Sequence, residues 1–270
     1  MQSSFWPYRF VSLSQSQSQE RREILDHRGI IAQVSALIVL VGVSLYRHAV
    51  LGSTSGTSRG KKGEKAWLDR PPFKGWRETR RQCLLTIVWA VWLVGLSSWR
   101  TGDDYLHLTK SLAHTTMATV PLQIILSPKL STRTNPLLRL LGLPQSILTP
   151  YHRLYGRIVL FPLLTSHALL YTAFFILQSL FSKRINDADV QWGVTGIFLA
   201  WIIWSMSSGG KSLTKRQFYV GHVVMVMGLF AVAYFHVIYV RRYVLEAVGI
   251  YVLDVSWYAI GKAWSGSKGY

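Results

Sequence analysis

Long apolar blocks, separated by shorter polar stretches, dominate the pattern of this 270-residue chain. An apolar block of about 18 residues or more can cross the hydrocarbon core of a bilayer as a helix. The pattern therefore predicts an all-α membrane protein with about seven transmembrane helices. The blocks cover residues 30–47, 82–99, 106–127, 153–181, 190–208, 217–240 and 243–262.

The polar segments between these blocks give the chain its predicted organisation. Residues 1–29 form an extracytosolic tail ahead of the first helix. A basic cytosolic loop follows that helix over 48–81, and we expect its small, polar part 51–65 to be disordered. The other six helices form one transmembrane domain, 82–262, and a cytosolic tail covers 263–270.

Basic residues are divided unevenly between the two sides of the predicted bundle. The formal net charge of +18 would by itself be compatible with nucleic acid binding. With the N-terminus outside, however, the cytosolic side holds 20 Lys and Arg against 4 Asp and Glu, and the outer side holds 10 against 8. This is the positive-inside pattern of membrane proteins. It predicts a lipid bilayer and no nucleic acid as partner, in the plasma membrane or, alternatively, the ER membrane.

Four of the eight histidines lie in two of the predicted helices and are the candidate functional residues. His152 and His167 belong to the fourth block, and His222 and His236 belong to the sixth. An ionisable side chain inside a span is costly and therefore a functional candidate, although a single histidine is more often a hydrogen-bonded structural residue. Both helices run from inside to outside. The first member of each pair therefore lies at the inner level, and the second lies at the outer level.

Paired imidazoles at two levels indicate two metal sites stacked across the membrane. Imidazole suits iron, and haem iron accepts histidine as an axial ligand. Zinc fits less well, because it prefers four ligands and neither a cysteine nor a carboxylate is within reach at either level. Fourteen helical residues rise about 21 Å, so two haems held in this way would make an electron path through the bilayer.

Three stretches carry a wider pattern: TNPLLRLLGLPQSILTPYHR, YHRLYGRIVLFPLLTSHALLYT and FYVGHVVMVMGLFAVAYFHV. They resemble the transmembrane domain of the fungal ferric reductases, whose superfamily also contains NADPH oxidases and the yeast NADPH-oxidase-like metalloreductases. The resemblance covers about 106–258. The matching residues are His152-Arg153, Gly156-Arg157, His222 and His236.

This resemblance implies a cofactor and its ligands. Six of the helices would form a ferric-reductase-like bundle that holds two b-type haems. His152 and His222 would bind the inner haem iron, and His167 and His236 would bind the outer haem iron.

Two arginines at the inner end of the fourth helix, Arg153 and Arg157, could contact haem propionates. They could equally be interfacial anchors that extend their charged ends to the lipid headgroups.

One spacing departs from the family pattern. His152 and His167 are fifteen residues apart, one more than usual, which rotates the second ring by about 100°. Pro162 lies between them. A proline removes a helix hydrogen bond and often accompanies a kink or a π-bulge, which can absorb one residue. We predict such a compensation between the two histidines.

The second departure concerns the cytosolic side. Family members usually continue, after an Asp-Arg-like motif, into domains that bind FAD and NAD(P)H. Asp254 marks that place, but its basic partner is missing and no GxGxxG motif follows it. We expect FAD and NADPH to act only through a missing or separate domain, such as a cytosolic flavin reductase.

The implied function is transmembrane electron transfer from a cytosolic donor to an extracytosolic acceptor. Reduction of a ferric or cupric chelate, in metal uptake, is the predicted reaction. Two alternatives stay open. One is a superoxide-producing haem subunit with oxygen as acceptor, and the other is a truncated, non-catalytic membrane protein.

Overall fold

The computed structural model describes residues 4–5, 7–52, 67–127, 141–209 and 213–266. Most of the segment predicted to be disordered lies outside these residues, and so does the end of the predicted cytosolic tail. The described helices, in chain order, are α1 (Gln15–Gly52), α2 (Arg80–Ser98), α3 (Tyr105–Ala118), α4 (Val120–Ile125), α5 (Gln145–Leu154), α6 (Phe161–Leu177), α7 (Phe181–Arg184), α8 (Ala188–Gly209), α9 (Lys215–His236) and α10 (Arg241–Gly266).

Short elements complete the described chain. A π-helix, Tyr155–Leu160, joins α5 to α6 without a break. Turns of 3₁₀-helix cover Trp67–Asp69 and Ile238–Val240. Near the N-terminus, strand β1 (Ser4–Phe5) pairs antiparallel with β2 (Tyr8–Arg9).

The structure confirms an all-α membrane protein, with one difference from the predicted spans. Six described helical stretches are long and apolar enough to cross a bilayer. The third predicted block, 106–127, is not among them, because it is divided between α3 and α4. The six stretches are Gln15–Ala49, Arg80–Ser98, Gln145–Leu177, Ala188–Ser208, Lys215–His236 and Ile238–Ala263.

The break between α3 and α4 has a local cause. Thr119 ends α3 with φ −98° and ψ 2°, and Pro121 follows in the first turn of α4. Proline has no N–H to continue the α-helical ladder, and its ring collides with the preceding turn. The third block is therefore two consecutive helices, α3 and α4, rather than the one continuous helix that its hydropathy predicted.

Helix α3 is the buried centre of the bundle although it is rich in hydroxyl side chains. Ten of its fourteen residues are buried. Thr109 donates to the carbonyl of Tyr105 and Thr116 donates to that of Leu112, at 2.9 and 2.6 Å. Such bonds satisfy hydroxyls where water is absent. Helices α1, α2 and α6 pack around α3.

Capping residues set the starts of several helices. Thr79 with Gln82 and Thr214 with Gln217 form capping boxes at α2 and α9. At α1, Ser14 exchanges side-chain hydrogen bonds with Gln17. This helix therefore begins at Gln15, well before residue 30, where the first apolar block begins.

Candidate functional site

The inner pair of histidines converges in the structure. His152 lies near the end of α5, His222 lies in the second turn of α9, and their ring centres are 6.3 Å apart. The two ring planes are inclined by 74°. Phe218, one turn before His222, stacks on the His222 ring at 5.4 Å. The bundle thus brings together two imidazoles that are seventy residues apart in the sequence.

This separation fits one metal ion between the two rings. A metal–nitrogen bond of about 2 Å at each ring, with about 1 Å more from each nitrogen to its ring centre, gives about 6 Å between ring centres. The inner pair therefore has the spacing that two axial ligands of one haem iron require.

Backbone carbonyls hold three of the four histidines by Nδ1. The acceptors are the carbonyl oxygens of Gln123 for His152, Thr109 for His167 and Asp189 for His236, at 3.0, 2.8 and 2.6 Å. A carbonyl oxygen can only accept, so Nδ1 carries the proton and Nε2 carries the lone pair. Metal-bound histidines characteristically donate their second ring nitrogen in this way.

The predicted outer pair lies farther along the same two helical stretches. His167 lies in α6, and His236 ends α9, where it packs against Gly193 of α8. A Cβ at Gly193 would approach Cε1 of His236 to 2.8 Å, so the ring needs a glycine there. Tyr171 meets His167 edge to face, with ring centres 5.5 Å apart.

The π-helix provides the predicted compensation for the fifteen-residue spacing. It covers Tyr155–Leu160, between His152 and His167, and ends two residues before Pro162. The N–H of Phe161 bonds to the carbonyl of Gly156, five residues back instead of four. A π-turn accommodates one extra residue, so fifteen positions here act as about fourteen in a regular α-helix.

The two helices that carry the outer histidines, α6 and α9, are separated by α8. Among the described residues, α8 packs against both α6 and α9, whereas α6 and α9 make almost no direct backbone contact. All four imidazoles are only half-buried by protein. Polar rings exposed at membrane depth are costly, and a planar cofactor between the helices would cover them.

The two predicted propionate contacts have different surroundings. Arg153 donates from Nε to Oε1 of Glu78 at 2.5 Å, and the carboxylate of Glu78 is 1% exposed. Arg157 donates to the carbonyl of Ser207 at 2.5 Å, and its buried Nε has no hydrogen-bond partner among the described residues. Arg157 is therefore the better candidate to meet an anionic group, because the charge of Arg153 is already balanced.

Other polar residues inside the bundle were not singled out by sequence reasoning. Gln123 contacts His152, and Glu78 pairs with Arg153. A polar residue within the apolar run VPLQII, and an acid directly before α2, were the available signals.

A second polar network joins α1, α3 and α10. His114 of α3 is 5% exposed. The hydroxyl of Tyr243 lies 3.1 Å from Nε2 of His114 and also accepts from Arg242. Arg242 in turn pairs with Asp26 at 3.1 Å. These groups neutralise one another, and the network is separate from the four paired histidines.

No group of three or more His, Cys, Asp or Glu side chains that could hold a metal ion occurs within the described ranges. The inner candidate ligands, His152 and His222, meet as a pair, which suits two ligands of one haem iron better than a four-ligand cage.

Fold and site together define a multi-pass helical membrane protein in which two histidines from separate helices, His152 and His222, converge. Residues 112–245 match the family described as Ferric reductase like transmembrane component, so this part of the chain is a transmembrane domain of the ferric reductase superfamily. The match begins within α3, ends within α10 and contains all four paired histidines. The family indicates transmembrane electron transfer, and its members generally bind haem. No curated protein and no solved structure matches the chain.

Proposed function

We propose that this chain carries electrons across a membrane on two b-type haems, from a cytosolic donor to an extracytosolic acceptor. The observation that carries the proposal is the inner histidine pair, whose ring centres lie 6.3 Å apart on two separate helices. One bound iron between two imidazoles needs this spacing, and the family to which residues 112–245 belong supports the same cofactor.

The four histidines divide into two ligand pairs in this proposal. His152 and His222 hold the inner haem iron, and His167 and His236 hold the outer one. When bound, haem iron supplies reversible one-electron chemistry. The carbonyls at Nδ1 keep the rings in one tautomer and one orientation. Arg157, with its unpartnered Nε, is placed to bind a propionate on the inner side.

The direction of transfer follows from the charge distribution. The cytosolic side carries 20 Lys and Arg against 4 acidic residues. This surface suits an acidic protein donor or the phosphates of FAD and NADPH, and therefore supports a flavin reductase as the cytosolic partner. The extracytosolic acceptor in the proposal is a ferric or cupric chelate, which connects the protein to metal uptake at the plasma membrane.

A haem count tests this function directly. The purified chain should bind two haems and show a reduced-minus-oxidised spectrum of two bis-histidine sites. With a chemical reductant supplied, it should reduce a ferric chelate at the same rate with or without superoxide dismutase. A rate that collapses when dismutase is added would favour oxygen as the acceptor. A purified chain that binds no haem would refute the proposal.

A further inference from the structure

Gln123 of α4 contacts His152 through both its backbone and its side chain. The carbonyl oxygen of Gln123 accepts from Nδ1 of His152 at 3.0 Å. The side-chain amide of Gln123 donates from Nε2 to the backbone carbonyl of His152, also at 3.0 Å. One residue therefore fixes both the imidazole ring and the backbone that carries it.

The backbone carbonyl of His152 lies where the α-helical ladder is interrupted. Helix α5 ends at Leu154, and the π-helix begins at the next residue. The single N–H of Tyr155 is shared between the carbonyls of Tyr151 and His152. The side-chain amide of Gln123 is a further donor to the His152 carbonyl at this interruption.

The surroundings of the Gln123 side-chain amide also restrict its position. A Cβ at Gly156 would lie 3.3 Å from Nε2 of Gln123, tighter than ordinary van der Waals contact. The Oε1 atom of Gln123 is shielded and has no hydrogen-bond partner within the described part of the chain. Leaving a buried acceptor unsatisfied is costly. The amide is therefore held here for its N–H donor, with Gly156 making the room.

We propose that Gln123 is a positioning residue that sets the reduction potential of the inner haem through His152. The inference rests on the proposed haem ligation. The hydrogen bond from the side-chain amide of Gln123 holds α4 at a fixed distance from α5. This keeps the backbone carbonyl of Gln123 within hydrogen-bond distance of Nδ1 of His152. A hydrogen bond at Nδ1 makes the imidazole more basic and stabilises oxidised iron, so loosening it raises the potential.

The test replaces Gln123 by Met, which keeps length and bulk but has no amide. A matched control replaces Gln33 by Met. Gln33 lies in α1, and its amide donates to Oε2 of Glu246 at 2.5 Å, away from the histidines. In Gln123→Met, a redox titration should show the inner haem moved to higher potential, with the outer haem unchanged. The electron paramagnetic resonance signal of the inner haem should shift or broaden, and the affinity of the inner site for haem should fall about 10-fold. Gln33→Met should leave all three readouts at the wild-type values.

A second variant, Gly156→Ala, keeps the amide and displaces it. The same shift to higher potential, smaller in size, is expected, and this variant carries the test if Gln123→Met does not fold. The inference is overturned if either variant holds both haems with the inner potential and resonance signal of the wild type. A wild-type chain without haem would instead refute the proposed function, which separates the two failures.

Discussion

Three of the four candidate ligand histidines are oriented by backbone carbonyls, which accept from their Nδ1 atoms, and not by side chains. A carbonyl cannot be removed by substitution, so the acceptors Thr109 and Asp189 can change their side chains without losing the bond. The imidazoles themselves have no such tolerance. Sensitivity to mutation should therefore concentrate on the rings and on the few side chains, such as Gln123, that hold two backbones together.

Replacing His222 by Ala should remove the inner haem and leave the outer one. His152 would keep its bond to Gln123, but one imidazole would remain where iron needs two, so about half of the bound haem should be lost. Haem per chain, measured on purified protein, gives the result. His27→Ala is the control, because His27 is exposed and its Nδ1 lies 2.8 Å from the carbonyl of Glu23 in the same helix. Two haems per chain in His222→Ala would show that the ligand assignment is wrong.

The ion pair of Arg153 with Glu78 should matter for stability rather than for haem. Arg153→Gln leaves a carboxylate that is 1% exposed without its charged partner. Because the Arg153 side chain is itself 31% exposed, the cost should be about 2 kcal/mol, below that of a fully buried pair. A fall in melting temperature measures it, and adding Glu78→Gln should restore part of the loss.

A matched pair at the surface serves as the control for this prediction. Arg81 and Asp69 lie 3.1 Å apart, with side chains 56% and 46% exposed. Arg81→Gln should change stability by less than about 0.5 kcal/mol. Equal losses of stability in Arg153→Gln and Arg81→Gln would mean that the burial of Glu78 does not increase the contribution of its ion pair to stability.

At the scale of the element, the π-helix sets the rotation of His167 relative to His152 around the helix axis. Deleting Ile158 should convert the π-helix into regular α-helix. The two histidines would then be separated by fourteen positions instead of fifteen, and both haems should be retained. Inserting an alanine after Ile158 should rotate the outer ring by about 100° and remove the outer haem. Haem counts on the two variants measure the outcome. Loss of the outer haem on deletion, with retention on insertion, would show that the π-turn does not set the register.

Sequence patterns located most helices but not every helix boundary. Hydropathy found the six long spans, because a lipid-facing helix is apolar on every side, as exposed Ile38, Val88 and Leu253 illustrate. The same criterion missed the break at Thr119, since a run of apolar residues does not report a lost backbone bond. It also placed the start of α1 too late, because the outer turns of that helix are polar and are held by Ser14 and Gln17.

For the whole molecule, the paired histidines were predictable and their supporting contacts were not. Two polar residues at similar spacing on two apolar helices stand out in any sequence, so both pairs could be proposed before a structure existed. The bonds made by the carbonyl of Thr109 and the amide of Gln123, and the position of α8 between α6 and α9, depend on how separate helices pack. Sequence alone contains no direct record of such contacts. Residue type therefore gave the candidate chemistry, and tertiary packing gave the geometry.

The whole molecule should also transfer electrons faster outward than inward when an inside-negative membrane potential is applied. Proteoliposomes with dithionite trapped inside should reduce ferric citrate outside, and an inside-negative potential should speed the reaction. An electron gains about 2.3 kcal/mol per 100 mV over the full membrane, and any part of the crossing gains proportionally. His236→Ala should remove the activity and keep the inner haem, because only the outer ligand pair is broken. Superoxide dismutase outside separates direct reduction of the chelate from reduction through oxygen. A rate that ignores the potential, or that survives His236→Ala, would mean that electrons do not leave through the outer pair.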